Sequence, residues 1–294
     1  MTSPSTDPVS RFVSAPDGLK LHYAEYGDSI APGAPVVCLP GLTRTAVDFD
    51  PLARALAFEG GARRRVLALD YRGRGLSEHD SDWRRYDVAI ENADILAVLT
   101  AAEVARAIFV GTSRGGLHAM VLAVARPTLL QAVVLNDIGP SVEGLGLMRI
   151  KTTVGKTPPP RSWAEAVDIL KRTMSAHFDG LSESDWETWA RMTYAEKDGA
   201  FVLRYDPALA RTLDGVGVDM PAIDLWPQFM AMADIPTLVV RGANSDLLSP
   251  TTYGAMLEKH PKCEGFVAPG QGHAPLLIDA PTIARIAAFV DANG

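Results

Sequence analysis

The run Gly111-Thr112-Ser113-Arg114-Gly115 sets a serine between two glycines. It lies between the apolar run Ala107–Val110, read as a strand, and Leu117–Ala125, which is apolar on every side and reads as a buried helix. A tight strand-to-helix turn of this kind pushes the serine hydroxyl clear of the backbone. It also puts it at a helix N-terminus, where free N–H groups favour a developing negative charge. The hydroxyl is a weak nucleophile at neutral pH and needs a base. Among the six histidines, His273 is the candidate base, because Gly270-Gln271-Gly272-His273-Ala274-Pro275 forms a loop directly after the apolar run Cys263–Ala268. His118 sits inside the buried helix and reads as a satisfied core histidine; His22, His79, His177 and His260 have no comparable setting. The base needs an orienting acid. Asp246, in the loop after Thr237–Val240, is the first candidate, and Asp137, right after Gln131–Leu135, is the alternative. Asp137 could instead cap or bridge the segment that follows. The expected chain order is Ser113, Asp246, His273.

These side chains meet only if the strands carrying them are parallel, so that the loops share one carboxyl edge. The chain alternates in that way. Arg11–Ala15 and Leu19–Tyr26 read as strands joined by Pro16-Asp17-Gly18. Pro35–Leu39 and Val66–Leu69 read as further strands, separated by a helix over Ala46–Phe58 that stops at Gly60-Gly61. A helix over Val88–Ala102 precedes the Ser113 strand, and Gln131–Leu135 follows its helix. From Ser141 to about Gln228 no clear strand is legible, only a Pro158-Pro159-Pro160 run and Trp-rich helical segments. Alternation resumes at Pro236–Val240, with helices near Thr251–Lys259 and from Pro281 to Val290. The pattern predicts one α/β core from residues 1–140 and 229–294, interrupted by a helical cap over 141–228.

Composition narrows the chemistry. The 294 residues are 47% hydrophobic and 21% charged, enough to bury a large core without staples. The net charge of −7 lacks the basic footprint of a nucleic-acid or anionic-membrane binder. Two cysteines, Cys38 and Cys263, exclude a disulfide scaffold and a cysteine-rich metal site. No phosphate-loop, dinucleotide, zinc-protease or paired-cysteine motif occurs, so no metal and no cofactor is expected. Met1 to Ser10 is polar and lacks an apolar signal core, and no stretch reaches the roughly 20 apolar residues of a membrane span. A soluble, cytoplasmic protein acting on a small molecule is the expectation; nothing marks an oligomer interface.

Taken in order, these segments resemble the α/β-hydrolase superfamily, in its lidded branch. Leu39-Pro40-Gly41-Leu42 stands where that family has a His-Gly oxyanion turn. Asp70-Tyr71-Arg72-Gly73-Arg74-Gly75-Leu76-Ser77 resembles its Asp-x-Arg-Gly-x-Gly-x-Ser loop, Gly242 to Pro250 its acid loop, and Gly272-His273 its histidine loop. The resemblance runs from about Lys20 to Val290, most of the insertion excepted. It implies a mostly parallel eight-stranded sheet with helices on both faces and an inserted cap. It implies oxyanion donors at the backbone N–H groups of Leu42 and Arg114, and Pro40 replaces the usual His without removing either. The side chains of Arg44 and Arg114 are within reach of the pocket as candidate substrate-binding groups, and for Arg114, next to the nucleophile, a salt bridge at the helix cap is the favoured reading over a carboxylate ligand. Trp163 and Trp186, with Met148, Met174, Trp189 and Met192, would line an acyl pocket or fill the cap's own core. The activity implied is hydrolysis of a small or medium carboxylic ester or lactone through an acyl-enzyme. A carbon–carbon bond hydrolase acting on a ring-cleavage dienone acid is the alternative, and a non-catalytic ligand receptor a second one. A serine in place of an aspartate nucleophile disfavours the dehalogenase and epoxide-hydrolase branches.

Overall fold

The computed structural model describes residues 6–59, 63–217 and 223–294. The polar start at residues 1–5 and the expected Gly60-Gly61 helix stop lie outside them. Ten strands form: β1 (Val9–Ser14), β2 (Lys20–Tyr26), β3 (Val36–Leu39), β4 (Val66–Asp70), β5 (Ala107–Thr112), β6 (Leu130–Asn136), β7 (Tyr194–Lys197), β8 (Ala200–Leu203), β9 (Thr237–Gly242) and β10 (Cys263–Ala268). The helices are α1 (Asp50–Phe58), α2 (Val88–Ala101), α3 (Arg114–Ala125), α4 (Gly144–Thr153), α5 (Trp163–Met174), α6 (Glu183–Thr193), α7 (Trp226–Met230), α8 (Pro250–Lys259) and α9 (Ala280–Asn293). None of them is long and apolar enough to cross a membrane, among the described residues.

Eight strands make one sheet in the order β1-β2-β4-β3-β5-β6-β9-β10. β2 pairs antiparallel with β1 and β4, and every later pairing is parallel. The inner strands are apolar on both faces because both faces are covered. On β3, Val37 and Leu39 join one core with Ile95 and Val98 of α2 and Met120 of α3, while Val36 and Cys38 join the other with Leu52 of α1 and Phe289 of α9. This two-residue alternation puts helices on both faces and brings the ends of β3, β5, β6, β9 and β10 to one rim.

Between β6 and β9 the chain builds α4 to α7 and one hairpin. The β7–β8 hairpin is antiparallel and turns at Asp198-Gly199, both at positive φ. It is the strand pair that the sequence hides, because four-residue strands beside a helix carry too short an alternation. The segment has cores of its own, one around Phe178, Trp186 and Trp189 and one around Tyr205, Leu209 and Leu213. Its return leg docks on the Arg72–Gly75 turn: Gly75 N–H donates to Arg204 O, Asp206 N–H to Gly73 O, and Tyr86 Oη–H to Asp206 Oδ2 at 2.5 Å.

Candidate functional site

Ser113 ends β5 and opens α3 at φ 51°, a region that non-glycine residues enter only when surroundings hold them there. The turn closes because its neighbours are glycines. A Cβ on Gly115 would collide with Leu39 O, and one on Gly116 with Ile138. Ser113 N–H donates to Asn136 O at 2.9 Å, fixing the turn to the end of β6. Asn136 Nδ2 in turn donates to Pro275 O at 2.9 Å, tying the histidine loop to the same strand.

His273 and Ser113 meet: the Oγ–Nε2 distance is 2.9 Å. The second ring nitrogen, Nδ1, is 2.8 Å from Asp137 Oδ2. A carboxylate there only accepts, so Nδ1 carries the proton and Nε2 presents its lone pair to the serine hydroxyl. Asp137 is fully buried and sits at φ 56° one residue beyond β6. Gly242 N–H donates to its Oδ1 at 2.7 Å and Ser245 Oγ–H to its Oδ2 at 2.5 Å.

The expectation that Asp246 faces the imidazole is therefore corrected. Its carboxylate accepts Nε and Nη2 of Arg149 on α4, at 2.6 and 2.8 Å. Burial alone raises its pKa, but these bonds prevail and hold the carboxyl below the usual carboxylate range. The reason is geometric. The loop after β9 turns its backbone and Ser245 toward Asp137, so it supports the acid of the neighbouring strand and sends its own acid to the insertion.

Leu42 and Arg114 line a cavity beside Ser113, and neither backbone N–H donates to a protein acceptor among the described residues. Buried charge ties the two together. Arg74 Nε donates to Leu42 O at 2.9 Å and its Nη1 to Glu91 Oε1 at 2.6 Å. Arg114 Nε donates to Glu91 Oε2 at 2.7 Å, and His118 Nε2 lies 3.1 Å from that oxygen. Burial works to raise the Glu91 pKa, but Arg74, Arg114 and His118 together hold it well below its ordinary value. The Arg114 guanidinium thus donates to Glu91 and to the Tyr86 carbonyl, which is the salt-bridge alternative, and Arg114 also lines the cavity beside Ser113. Arg44 does line the cavity at Ser113, braced by Asp48 and by Thr193 of α6.

Trp163 and Trp186 are brought elsewhere. Trp163 packs edge-on against Phe201, and Trp186 stacks on Trp189 at 5.3 Å inside the insertion's own core. Neither lines a cavity at Ser113; Trp189 and Met174 do. Glu91 and Arg149 carry no role in the sequence pattern, and Arg74 enters it only as part of the loop after β4. Glu91 had a signal: it stands four and seven residues before Ile95 and Val98, on the buried face of α2. Asp70 and Arg72 shape the turn after β4, Asp70 accepting the Ala46 N–H and Arg72 pairing with Asp94. No group of three histidine, cysteine or acidic side chains able to hold a metal occurs among the described residues.

Sheet order, elbow and histidine loop coincide with a match to the alpha/beta hydrolase family over residues 36–287. The chain belongs to that family. This alpha/beta hydrolase is 33% identical to the 3-hydroxybutyrate-oligomer hydrolase of Cupriavidus necator, over 95% of this chain and 97% of that one. It is 28% identical to the sn-1-specific diacylglycerol lipase ABHD11 of Xenopus tropicalis, over 86% of this chain and 76% of that one. The crystal structure of an alpha/beta hydrolase from Novosphingobium aromaticivorans superposes with a TM-score of 0.89 at 35% identity, covering 98% of this chain and 99% of that one.

Proposed function

We propose that this alpha/beta hydrolase cleaves a small or medium carboxylic ester or lactone through an acyl-enzyme, with Ser113 as nucleophile, His273 as base and Asp137 as orienting acid. The observation that carries the reading is the unbroken chain from Ser113 Oγ to His273 Nε2 and from His273 Nδ1 to Asp137 Oδ2, at 2.9 and 2.8 Å. Ser113 Oγ attacks the carbonyl carbon while its proton passes to Nε2. The carbonyl oxygen becomes an oxyanion between the Leu42 and Arg114 N–H groups. As the intermediate collapses, Nε2 returns the proton to the departing alkoxide. Water then repeats the sequence on the acyl-enzyme, and the acid leaves with Ser113 restored.

A diacylglycerol lipase and an oligomer hydrolase among its relatives support hydrolytic ester chemistry. The carbon–carbon reading had asked for Arg114 as a cation beside an acidic dienone, and that guanidinium is engaged by Glu91. A reducing compartment fits two free cysteines: Cys38 is buried, and burial pushes the Cys263 thiol up to about 12. The test is p-nitrophenyl butyrate hydrolysis and fluorophosphonate labelling of the wild type and Ser113→Ala. Turnover and label should both vanish in the variant at unchanged circular dichroism. A ring-cleavage dienoate turned over faster than any ester would favour the carbon–carbon reading, and ligand binding without an acyl burst a receptor.

A further inference from the structure

Ser113 stands where two chambers meet. Both are lined by Ser113, Leu42 and Ile150. The first, about 180 Å³, holds His273, Arg44, Asp48 and Arg149 on its wall. The second, about 330 Å³, lacks His273; most of its wall is apolar, including Leu117, Ile138, Val142, Leu147 and Leu247, and its charged side chains are Arg84, Asp87 and Arg114. If Ser113 and His273 act as proposed above, on which this inference rests, the chambers have different tenants. The departing alkoxide must take its proton from His273 Nε2, so the alcohol half of the ester lies in the chamber that His273 lines. The acyl half is left with the other, whose wall is mostly apolar.

The alcohol-side wall is unusual for its cations. Its charged side chains are two arginines and one aspartate, because Asp246 is not on the wall. All three nitrogens of Arg44 already donate, Nε and Nη2 to Asp48 and Nη1 to Thr193 Oγ1. In Arg149 one nitrogen does not. Asp246 takes its Nε and Nη2 side-on, and Nη1 meets no acceptor among the described residues. A guanidinium braced along one edge is held in a fixed direction and offers planar donors to a second anion. It is only 19% exposed, so little water competes for that edge. An apolar or neutral alcohol would cover these donors without replacing the water it displaces.

We propose that the preferred substrate is an ester whose acyl half is apolar and whose alcohol half carries a carboxylate, an acyl ester of a hydroxycarboxylic acid, with Arg149 binding that carboxylate. Cleavage breaks the bond between the carbonyl carbon and the alcohol oxygen. That oxygen leaves with the proton from Nε2, and the hydroxy acid departs while the acyl chain stays on Ser113 Oγ until water releases it.

The test compares 3-hexanoyloxybutanoic acid with the corresponding primary amide, which keeps the same scissile bond without the charge, and with p-nitrophenyl hexanoate. The wild type should prefer the acid over the amide by about ten- to hundredfold in kcat/KM. The preference should shrink in high salt and fall close to one in Arg149→Met. Equal rates for acid and amide, or a faster amide, overturn the inference while hydrolysis of the nitrophenyl ester leaves the triad reading standing. A preference that survives Arg149→Met overturns the assignment to Arg149. Loss of both esters in equal proportion shows Arg149 to be only a strut between the insertion and the core, and overturns it as well. Should Arg149→Met not fold, Arg149→Lys gives the same comparison, because a single ammonium cannot hold Asp246 bidentately and still face the ligand. No hydrolysis of any of the three esters by the wild type refutes the triad reading itself.

Discussion

Replacing Asp137 by Asn removes one charge and almost no volume, so it isolates what the acid does. The carboxylate accepts three hydrogen bonds, from Gly242 N–H on Oδ1 and from Ser245 Oγ–H and His273 Nδ1–H on Oδ2. An asparagine has one oxygen and one NH2. With the NH2 at the Oδ1 position, donor faces donor at the Gly242 N–H in a fully buried site. With the NH2 at the Oδ2 position, it donates to Nδ1, the ring proton moves to Nε2, and the imidazole can no longer accept from Ser113. The second arrangement spares the backbone and should dominate. The expected loss in kcat is about 10³ to 10⁴, or roughly 4–5 kcal/mol in the barrier, with KM little changed. Asp246→Asn should cost less than about tenfold on a neutral ester, because it only loosens Arg149. Both variants are to be assayed with p-nitrophenyl butyrate across pH 6–9, with thermal melts to exclude unfolding. If Asp246→Asn loses about 10³ while Asp137→Asn keeps most of its rate, the placement of the acid beside β6 is refuted.

Glu91→Gln should lower kcat about ten- to hundredfold at constant KM, because both residues flanking the oxyanion lose their common tether; it should also destabilise by about 3–5 kcal/mol, since Arg74 stays buried without its carboxylate. A melting point that falls with kcat intact would show that the tether does not position the donors. Gly115→Ala should give insoluble or inactive protein, since the new methyl meets the Leu39 carbonyl of a central strand; soluble protein with wild-type turnover contradicts this. Burial holds the imidazoles of His118 and His260 below their ordinary pKa. Below about pH 6.5 the unfolded chain therefore takes up protons that the folded chain refuses, and stability falls with acidification. The urea midpoint should drop between pH 7.5 and 5.5, and a midpoint that is level or rises would contradict the assignment.

The sheet was legible because its strands are buried on both faces. Runs such as Val36-Val37-Cys38-Leu39 and Ala107–Val110 are apolar without interruption, and glycines mark the turns between them. The elbow and the histidine loop were legible for a related reason: each couples a reactive side chain to glycines that only a tight turn requires. The acid was not. Asp137 and Asp246 both follow strands at one rim, and linear spacing does not say which carboxylate faces the ring and which is taken up by an arginine 97 residues away. Trp163 and Trp186 misled because large aromatic side chains in a small helical insertion are needed first to fill it. The Arg74–Glu91–Arg114 cluster joins three segments through hydrogen bonds that no periodicity encodes.

Seating the imidazole's partner on β6 divides labour between adjacent strand ends. The last residue of β9 and the loop after it give Asp137 one backbone amide, from Gly242, and one hydroxyl, from Ser245, which leaves the carboxylate of Asp246 to brace Arg149 of α4. On the proposed roles, substitutions at Arg149 and Asp246 alter selectivity without touching the chain from Ser113 through His273 to Asp137.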